Sequence, residues 1–425
     1  MKLRASRAGP LSGIAHIPGD KSCSHRALVI GALAEGETRI DGLLEAEDVA
    51  ATMRAIEAFG ARVERIGRER RVTAAEWRSP AEPIDCGNSG TTARLVMGAA
   101  AGFDLRATFT GDGSLSRRPM APVTAPLARM GATFEGSNRL PLTLIGGRPS
   151  GIEWANAPAS AQVKSAILLA GLRAQGSVTV RETIPSRDHT EIMLREFGVE
   201  MQCEEGAVSL GANRSPKACD IAIAADPSSA AFALTAATII EGSAVEVPGL
   251  LMNPLRTGLY EALEQMGAQV EVAGRRTQSG ESIATLRIGH GALQPIEIPA
   301  ERVPALIDEV PLLAVAAAFA DGESAIHGLA ALRHKESDRL GAVVAGLAAC
   351  GVTALARGDS LHIFGRGGVR GGARIAAQGD HRIAMAFLVL GLASEQPVEV
   401  DSAAMIATSF PGFAATMRAL GADIV

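Results

Sequence analysis

The stretch Pro18-Gly19-Asp20-Lys21-Ser22-Cys23-Ser24-His25-Arg26-Ala27 is followed by an apolar run and predicts a loop that turns directly into a helix. Its glycine is expected to allow the tight turn, and Asp20 or Ser22 can cap the first free N–H groups. Lys21 and Arg26 place two cations beside the positive end of the helix dipole, which favours a nearby anion. An ordinary helix start with solvated charges is the alternative, and this stretch alone does not decide between the two.

The same arrangement recurs along the chain and is marked by two local signals. The first is a glycine between two apolar residues that ends a helix and begins a strand; it occurs at Gly60, Gly131, Gly198, Gly267, Gly351 and Gly421. Glycine here is expected to adopt the left-handed conformation of the helix C′ position. The second is a polar cluster that opens an apolar helix; it starts at Lys21, Ser89, Ser160, Pro227, Asp308 and His381.

The two signals keep nearly the same spacing in all six copies. Each cluster precedes its glycine by between 38 residues (Ser160 to Gly198) and 43 residues (Asp308 to Gly351). Each unit is long enough for β-α-β-α-β-β, so we expect an α/β protein of six such repeats, three in each of two domains, with a split near residue 227. The second helices are expected to start near Arg118-Pro119, Arg187-Asp188, Asn253-Pro254 and Lys335-Glu336, with Pro119 and Pro254 at the first helical position.

Composition excludes several classes of protein. The 425 residues carry a net charge of −5 without a block of basic residues, which argues against nucleic acid as a partner. Five scattered cysteines without a C-x-x-C pair indicate a reduced, cytoplasmic compartment, and eight histidines without a ligand spacing predict no metal site. We expect no signal peptide and no membrane helix, because the longest apolar runs fall short of about 20 residues.

The helix starts carry more charge than capping needs. Helices that begin at equivalent places should point their N-termini the same way within each half, which predicts a site for a small, multiply anionic ligand. The segment 87–94 offers backbone N–H groups with Gly90 open to a ligand, and Arg118 offers a guanidinium. The segment 19–22 fails the spacing of an ATP-binding phosphate loop. Six unrelated caps that face solvent are the alternative.

Acidic residues accompany the cations in the second half. Asp308 opens an apolar helix, where it can be a simple N-cap or a general base. If the segment 333–339 is helical, Lys335 and Arg339 are four residues apart and share one face. The two halves are expected to carry cation clusters of like charge that repel when empty and to close on anionic substrates.

The motifs together resemble one enzyme family. They are Pro18 to Arg26, Gly87 to Arg94, Arg118-Pro119-Met120, Ser160-Ala161-Gln162, Arg187-Asp188-His189-Thr190-Glu191, Lys335-Glu336-Ser337-Asp338-Arg339 and Asp380-His381-Arg382. In this order they are similar to the signatures of 5-enolpyruvylshikimate-3-phosphate synthases, over essentially the whole chain. The resemblance implies a two-domain inverted α/β barrel-like fold of six β-α-β-α-β-β repeats. Residues 1–18 and 228–425 would form domain I and residues 19–227 domain II, with the active site in the cleft between them.

The resemblance also implies a reaction. The 5-hydroxyl of shikimate 3-phosphate attacks C2 of phosphoenolpyruvate, C3 is protonated, and phosphate leaves from the tetrahedral intermediate, without a metal or organic cofactor. Contacts to shikimate 3-phosphate are implied for Lys21, Ser22, Arg26, Ser160, Gln162, Arg187, Asp308 and Lys335. Contacts to phosphoenolpyruvate are implied for Lys21, Gly90, Arg118, Gln162, Arg339 and Arg382. Asp308 would be the base for the 5-hydroxyl, with Glu336 and Lys21 handling the other protons. A monomer is expected, with glyphosate as a possible inhibitor.

The chain departs from the family pattern at a few positions. Thr408 stands where many members have a lysine before the Ser-Phe-Pro of the last repeat, so that contact to phosphoenolpyruvate is missing or supplied elsewhere. Ala161 replaces a serine, and the segment 88–92 reads Asn-Ser-Gly-Thr-Thr where Asn-Ala-Gly-Thr-Ala is commoner in the family. These differences place the chain nearer the branch of the family that includes glyphosate-tolerant members.

Two rival functions stay open at this stage. The sister enzyme that transfers enolpyruvyl to UDP-N-acetylglucosamine usually has a reactive cysteine near the position of Arg118, and no cysteine lies between Cys86 and Cys203. A polyanion-binding scaffold without catalysis would not need Asp308 and Glu336 beside its cations.

Overall fold

The computed structural model describes residues 2–425 as a repeating sequence of strands and helices. The strands are β1 (Leu3–Ser6), β2 (Ser12–Ile14), β3 (Glu37–Asp41), β4 (Arg62–Ile66), β5 (Glu69–Thr73), β6 (Ile84–Asp85), β7 (Arg106–Thr110), β8 (Thr133–Gly136), β9 (Leu142–Ile145), β10 (Ser150–Ala155), β11 (Gln175–Arg181), β12 (Met201–Glu204), β13 (Ala207–Leu210), β14 (Asp220–Ala222), β15 (Ala244–Leu251), β16 (Gln269–Gln278), β17 (Glu281–Gly289), β18 (Glu297–Ile298), β19 (Asp321–Ile326), β20 (Thr353–Arg357), β21 (Ser360–Arg366), β22 (Arg374–Ile375), β23 (Val398–Val400) and β24 (Asp423–Ile424).

Two α-helices accompany every four strands. They are α1 (Lys21–Gly31), α2 (Glu47–Ala58), α3 (Gly90–Ala100), α4 (Ala121–Arg129), α5 (Ala161–Gly171), α6 (His189–Glu196), α7 (Pro227–Ile239), α8 (Gly258–Gln265), α9 (Val310–Ala318), α10 (Arg339–Ala349), α11 (His381–Gly391) and α12 (Phe413–Ala419). None of the helices in the described chain has both the length and the apolar composition needed to cross a membrane.

The strands of residues 2–425 form six four-stranded sheets, as the six repeats predict. Their strand orders are β14-β3-β5-β4, β6-β7-β9-β8, β10-β11-β13-β12, β16-β17-β15-β2, β18-β19-β21-β20 and β22-β23-β1-β24. Each sheet contains one parallel pair of strands, and one strand of that pair also pairs with an antiparallel neighbour. In the second sheet, for example, β6 and β7 are parallel, with Ile84 opposite Phe109, and β7 and β9 are antiparallel, with Phe109 opposite Leu142. The six marker glycines all have positive φ, from 78° at Gly198 to 115° at Gly60, which confirms the predicted left-handed helix ends.

Three sheets are completed by strands that are distant in sequence. β14 pairs in parallel with β3, while β1 and β2 from the start of the chain join the sheets of β23 and β15. The described chain accordingly divides into two compact units: unit 1 contains the chain up to Pro18, Ala224–Arg276 and Ser282–Val425, and unit 2 contains Gly19–Ile223 and Thr277–Glu281.

The first helix of each repeat forms the core of its unit. In unit 1, α7, α9 and α11 pack against one another, and every residue of α7 and α9 is buried. In unit 2, α3 packs against both α1 and α5. Helices that are apolar on all sides belong in such central positions, because no face of them is suited to water. The more amphipathic second helices pack against these central ones, as α2 does against α1 and α3.

The predicted helix starts are correct in kind and wrong in some details. Asp20, not Ser22, caps α1, since its Oδ1 accepts a hydrogen bond from the N–H of Cys23 at 2.7 Å. Neither Pro119 nor Pro254 occupies a first helical position, because α4 starts at Ala121 and α8 only at Gly258. Proline in the first turn of α4 is supplied instead by Pro122, the second helical residue.

Gly19 is required for a different reason from the one expected. A Cβ atom built on Gly19 would lie 1.9 Å from the carbonyl oxygen of Gly42, so no larger residue fits between these two segments of unit 2. Gly19 itself does not have positive φ. Close backbone approach, and not an unusual turn conformation, therefore explains this glycine.

Candidate active site

The N-termini of α3 and α5 lie next to each other in unit 2. Gln162 at the start of α5 donates from Nε2 to Thr91 Oγ1 of α3 at 3.0 Å. Gln162 Oε1 accepts a hydrogen bond from Arg94 Nη1 at 2.8 Å. Asp48 of α2 joins this group, because its carbonyl oxygen accepts a hydrogen bond from Thr92 Oγ1. The resulting unit 2 cluster consists of Lys21, Ser22, Asp48, Gly90, Arg94, Arg118 and Gln162.

Lys21 is held by a carboxylate that the sequence analysis missed. Its ammonium forms an ion pair with Asp48 Oδ2, and the side chains are 19% and 11% exposed. Lys21 is the first residue of α1, where the helix dipole opposes a cation, so the carboxylate offsets that cost. Asp48 in the first turn of α2 looks in sequence like any acid at a helix N-terminus, which explains why it was missed.

Gly90 leaves room for two guanidinium groups. A Cβ atom at Gly90 would lie 2.8 Å from Arg94 Nη1 and 3.2 Å from Arg118 Nη1. Arg118 is buried and donates from Nη2 to Asn88 Oδ1 at 3.1 Å. The absence of a side chain at Gly90 thus allows two cations to approach the N-terminus of α3, where they and the free N–H groups together suit an anion.

Arg26 lies deeper than the cations of the unit 2 cluster. Its side chain donates to Thr190 Oγ1 at 2.7 Å, Ser165 Oγ at 2.8 Å and the carbonyl of Ser22 at 3.0 Å. Burial lowers the pKa of Arg26 from its ordinary value. In this structure Arg26 links α1 to α5 and α6, which are the helices that follow Ser160 and Arg187.

Ser160 and Arg187 lie on segments that leave neighbouring strands. β10 and β11 pair in parallel, with Ala155 opposite Arg181, so the segments that follow them emerge side by side. Ser160 caps α5 by accepting from the N–H of Val163, and Arg187 is half-buried in the segment before α6.

The N-termini of α7, α9 and α11 meet in unit 1. Ser228 Oγ of α7 donates to Glu309 Oε1 at 2.5 Å, just before α9. Arg382 of α11 donates from Nη1 to the same Oε1 atom at 3.2 Å and to the carbonyl oxygen of Asp308 at 3.1 Å. Asp226 and Asp380 cap α7 and α11, whereas Glu309 at the N-cap of α9 makes no capping bond. The unit 1 cluster consists of Ser228, Asp308, Glu309, Lys335, Glu336, Arg339, Asp380 and Arg382.

Three cations surround Asp308. Its Oδ1 atom lies 3.2 Å from Lys335 Nζ and 3.3 Å from Arg339 Nη1, and Oδ2 lies 3.9 Å from Arg382 Nη2. Asp308 precedes the N-cap of α9, so it is not the simple cap that the sequence allowed. Asp308 is therefore a carboxylate next to three cations, and a carboxylate is a group that can accept a proton.

The expected helical face of Lys335 and Arg339 does not exist. Lys335 ends a 3₁₀ turn, and α10 begins only at Arg339. The two side chains nevertheless meet at Asp308. The loop around Ser337 brings the two side chains together. The prediction that Lys335 and Arg339 lie close together is thus correct, but the helical spacing from which it was made is absent.

Arg339 is the most enclosed cation of unit 1. Its side chain is 1% exposed and donates to Asp380 Oδ2 at 2.8 Å, to Asp308 and to Glu336 Oε2. Burial by itself would lower the pKa of Arg339, but Asp380, Glu336 and Asp308 outweigh it and raise that pKa. The pKa of Asp380 is correspondingly lowered: burial opposes its charge, and Arg339 overcomes that effect.

The acids of the unit 1 cluster outnumber its cations. Lys335, Arg339 and Arg382 face Asp308, Glu309, Glu336 and Asp380. The expectation that both halves carry cation clusters of like charge is therefore wrong. This excess of acids could not be predicted from sequence, because Glu309 and Asp380 look like helix-start acids and their contacts with the cations are tertiary.

Thr408 takes the place where many family members have a lysine. It is buried, and its Oγ1 lies 3.4 Å from His381 Nδ1 and donates to the carbonyl oxygen of Met405 at 2.7 Å. The hydroxyl thus packs against the start of α11, next in sequence to Arg382.

One buried group combines possible metal-ligating atoms, although the sequence has no metal motif. Asp20, Cys23 and His189 place one oxygen, one sulfur and one nitrogen within 4.8 Å of one another. Protein groups already engage two of them: Asp20 caps α1, and His189 Nδ1 is hydrogen-bonded to Glu281 Oε1 at 2.6 Å. The first contact lies within the start of α1, and the second joins α6 to β17.

Comparison with known proteins identifies the family of the chain. Residues 6–417 match the family model described as EPSP synthase (3-phosphoshikimate 1-carboxyvinyltransferase). The chain is 53% identical to a 3-phosphoshikimate 1-carboxyvinyltransferase of Phenylobacterium zucineum, over 99% of this chain and 95% of that protein. It is 51% identical to a protein of the same name from Parvibaculum lavamentivorans, over 100% of this chain and 97% of that protein.

Solved structures extend the likeness to the fold. The structure of an EPSP synthase from Acinetobacter baumannii matches with a TM-score of 0.88 at 38% identity, over 100% of this chain and 99% of that one. The enolpyruvyl transferase NikO from Streptomyces tendae matches with a TM-score of 0.77 at 18% identity, over 100% of this chain and 98% of that one, which shows a shared fold. The chain belongs to the EPSP synthase (3-phosphoshikimate 1-carboxyvinyltransferase) family.

Proposed function

We propose that the unit 1 and unit 2 clusters together perform the reaction of this family, the transfer of the enolpyruvyl group of phosphoenolpyruvate to the 5-hydroxyl of shikimate 3-phosphate. The observation that carries the proposal is Asp308, a carboxylate at the start of an apolar helix with three cations within 3.9 Å. A binding scaffold needs the cations alone, whereas transfer to a hydroxyl also needs a group that accepts its proton. The predicted location of the site in a cleft between the two domains is part of this proposal.

The acceptor is proposed to bind through residues of both units. Those of unit 2 are Lys21, Ser22, Arg26, Ser160, Gln162 and Arg187, and those of unit 1 are Asp308 and Lys335. The helix N-termini that lie together in unit 2 support binding of a ligand with several anionic groups, because backbone dipoles and guanidinium groups there favour negative charge. Arg26 already makes three hydrogen bonds within the protein, so a direct contact to the ligand stays a prediction.

The donor is proposed to bind to Lys21 and Gln162, which it shares with the acceptor, to three arginines and to the open N-terminus of α3. These residues are Lys21, Gly90, Arg118, Gln162, Arg339 and Arg382. Guanidinium groups match carboxylate and phosphate geometry in two-point contacts. Gly90 supports this assignment, because its missing side chain leaves space beside Arg94 and Arg118.

The chemistry requires a proton to leave the acceptor and another to reach the donor. Asp308 takes the proton of the 5-hydroxyl while the hydroxyl oxygen forms a bond to C2 of phosphoenolpyruvate. Glu336 or Lys21 delivers a proton to C3. In the second step a proton leaves C3, the C2–O bond to phosphate breaks, and the enolpyruvyl double bond forms again. Cations around the departing phosphate stabilise the negative charge that develops on it.

A coupled phosphate-release assay with both substrates tests the proposal. Phosphate should appear only when shikimate 3-phosphate and phosphoenolpyruvate are both present. Release with UDP-N-acetylglucosamine in place of shikimate 3-phosphate would identify the sister activity, and binding of both substrates without release would identify a scaffold. Glyphosate as an inhibitor, a monomeric state and a cytoplasmic location belong to the same proposal and are checked by inhibition kinetics, light scattering and cell fractionation.

A further inference from the structure

Unit 2 contains a buried ion pair behind the proposed acceptor-binding residues. Lys164 of α5 and Glu182, which follows β11, have side chains that are 4% and 8% exposed, and Lys164 Nζ lies 2.9 Å from Glu182 Oε2. Glu191 of α6 provides a second carboxylate 2.8 Å from the same ammonium. None of these three residues is among those assigned above to binding or catalysis.

Glu182 collects hydrogen bonds from three separate segments. Besides Lys164, its Oε2 accepts from the N–H of Ser186 at 2.9 Å, and its Oε1 accepts from Ser186 Oγ at 2.6 Å and from Asn156 Nδ2 at 2.5 Å. One carboxylate thus connects α5, the segment 156–160 and the segment 182–188. The two segments have no helix or strand of their own to fix their shape.

These bonds end one residue away from Arg187 and on Ser160 itself. Ser186 directly precedes Arg187, and Lys164 Nζ also donates to the carbonyl oxygen of Ser186 at 3.1 Å. Asn156 Nδ2 donates to the carbonyl oxygen of Ser160 at 3.0 Å as well as to Glu182. Any change at Glu182 is therefore transmitted to the backbone at both positions.

Stability alone does not account for this arrangement. Buried ion pairs lose much of their attraction to desolvation, and well-packed apolar side chains often stabilise a fold equally well. Apolar side chains, however, cannot receive four directed hydrogen bonds from three segments. Both groups stay charged: burial opposes this, but Glu191 and Glu182 raise the pKa of Lys164, and Lys164 and Ser186 lower the pKa of Glu182.

We infer that Glu182 and Lys164 are positioning residues that hold Ser160 and Arg187 in the geometry needed to bind the phosphorylated acceptor. This inference rests on the proposed function, because Ser160 and Arg187 are proposed contacts of shikimate 3-phosphate. The donor is assigned to other residues. Loss of the Glu182–Lys164 ion pair, which we call the clamp, should therefore weaken binding of the acceptor and leave binding of the donor unchanged.

The decisive variant is Glu182→Gln, which keeps the size of the side chain and removes its charge. Titration calorimetry on the full chain measures the dissociation constant for shikimate 3-phosphate without any need for turnover. We expect it to rise about 10-fold, which corresponds to about 1.4 kcal/mol of binding free energy, because the variant loses the charge-assisted hydrogen bond to Lys164 that fixes both segments. Steady-state kinetics should show the same rise in KM for shikimate 3-phosphate, with kcat and KM for phosphoenolpyruvate within about twofold.

Three further variants and a control keep the test informative. Lys164→Met should resemble Glu182→Gln, and Lys164→Arg, which keeps the charge, should restore part of the affinity. Ser186→Ala removes only one donor and serves if the other variants do not fold. Glu153→Gln is the matched control, since Glu153 pairs with Arg181 on the same sheet at 2.5 Å but both side chains are more than half exposed; its constants should equal those of the wild type.

The outcomes separate the inference from the proposed function. Weaker acceptor binding with an unchanged KM for phosphoenolpyruvate supports the clamp. Unchanged acceptor binding overturns it, and so does an equal loss for both substrates that follows a drop in thermal stability, since that indicates a purely structural role. If the wild type itself neither binds shikimate 3-phosphate nor releases phosphate, the proposed function fails, and the inference fails with it.

Discussion

Replacement of Asp308 by asparagine should abolish most turnover and leave substrate binding largely intact. The asparagine keeps the size of the side chain and one acceptor oxygen, but it cannot take the proton of a hydroxyl group. Loss of a general base typically lowers kcat by about 10²–10⁴-fold, which corresponds to about 2.7–5.5 kcal/mol in the activation free energy. We expect kcat of Asp308→Asn to fall within this range.

The surrounding contacts explain why binding should survive. Arg339 keeps Asp380 and Glu336 when the charge of Asp308 is lost, and Arg382 keeps Glu309. Lys335 also loses its ion pair with Asp308, but its side chain is 31% exposed and therefore hydrated. A partly exposed ion pair of this kind contributes about 0–1 kcal/mol, so the fold and both KM values should change little.

Steady-state phosphate release over a matrix of both substrate concentrations measures the three constants. Asp338→Asn is the matched control, because Asp338 lies in the neighbouring loop, is 48% exposed and can still cap α10 as asparagine. A wild-type kcat in Asp308→Asn would remove Asp308 from its proposed role. An effect confined to KM would also refute the reasoning, since it would mean that Asp308 only orients cations.

Three other predictions follow from separate contacts. Gly90→Ala should weaken glyphosate more than phosphoenolpyruvate in inhibition kinetics, because the new Cβ would lie 2.8 Å from Arg94 Nη1 and 3.2 Å from Arg118 Nη1 and must displace both groups; an equal effect on both ligands would contradict this. Asp380→Asn should lower the free energy of unfolding at neutral pH by about 3–5 kcal/mol, since it leaves Arg339 buried with less compensation. Because the pKa of Asp380 is lowered in the folded protein, its contribution to stability is fully present above the ordinary carboxyl pKa and is lost as the pH falls through the lowered value. The difference in unfolding free energy between wild type and variant, measured by urea unfolding, should therefore narrow only below about pH 4. A difference independent of pH would argue against the ion pair. Under native conditions at neutral pH a thiol reagent should modify Cys203 first, because it is exposed and 2.8 Å from Arg195 Nη2, whereas burial raises the pKa of Cys86 to about 12 and that of Cys350 to about 11; peptide mapping by mass spectrometry that finds Cys86 first would contradict this.

The repeat could be predicted from sequence because its signals are local. A glycine that ends a helix and a polar residue that starts one act within a turn of their own position, and six copies at constant spacing reinforce one another. The apolar composition of α7 and α9 likewise predicts central helices without any knowledge of their neighbours. Boundaries that depended on a single residue failed more often, as Pro119 and Pro254 did, because proline is tolerated at several positions before a helix.

The partners of the candidate site could not be predicted in the same way. Asp48 meets Lys21 only because α2 packs against α1 and α3, and Glu309 meets Arg382 only because α9 packs against α11. The sequence shows such acids as helix-start residues with no preferred cation. Contacts of this kind depend on how the repeats assemble, which residue spacing does not record.

The acids among the cations bear on how such a site would catalyse the reaction. A carboxylate ligand that reaches Arg382 or Arg339 must share cations that Glu309, Asp308 and Asp380 already neutralise, so ground-state binding is weaker than bare cations would give. Weak ground-state binding does not harm catalysis, because only interactions that strengthen in the transition state raise kcat. If Asp308 keeps the proton that it takes in the addition step, its negative charge is absent when phosphate leaves in the second step. Lys335, Arg339 and Arg382 then have one charged carboxylate fewer beside them, so the first proton transfer would strengthen their stabilisation of the departing phosphate in the next step.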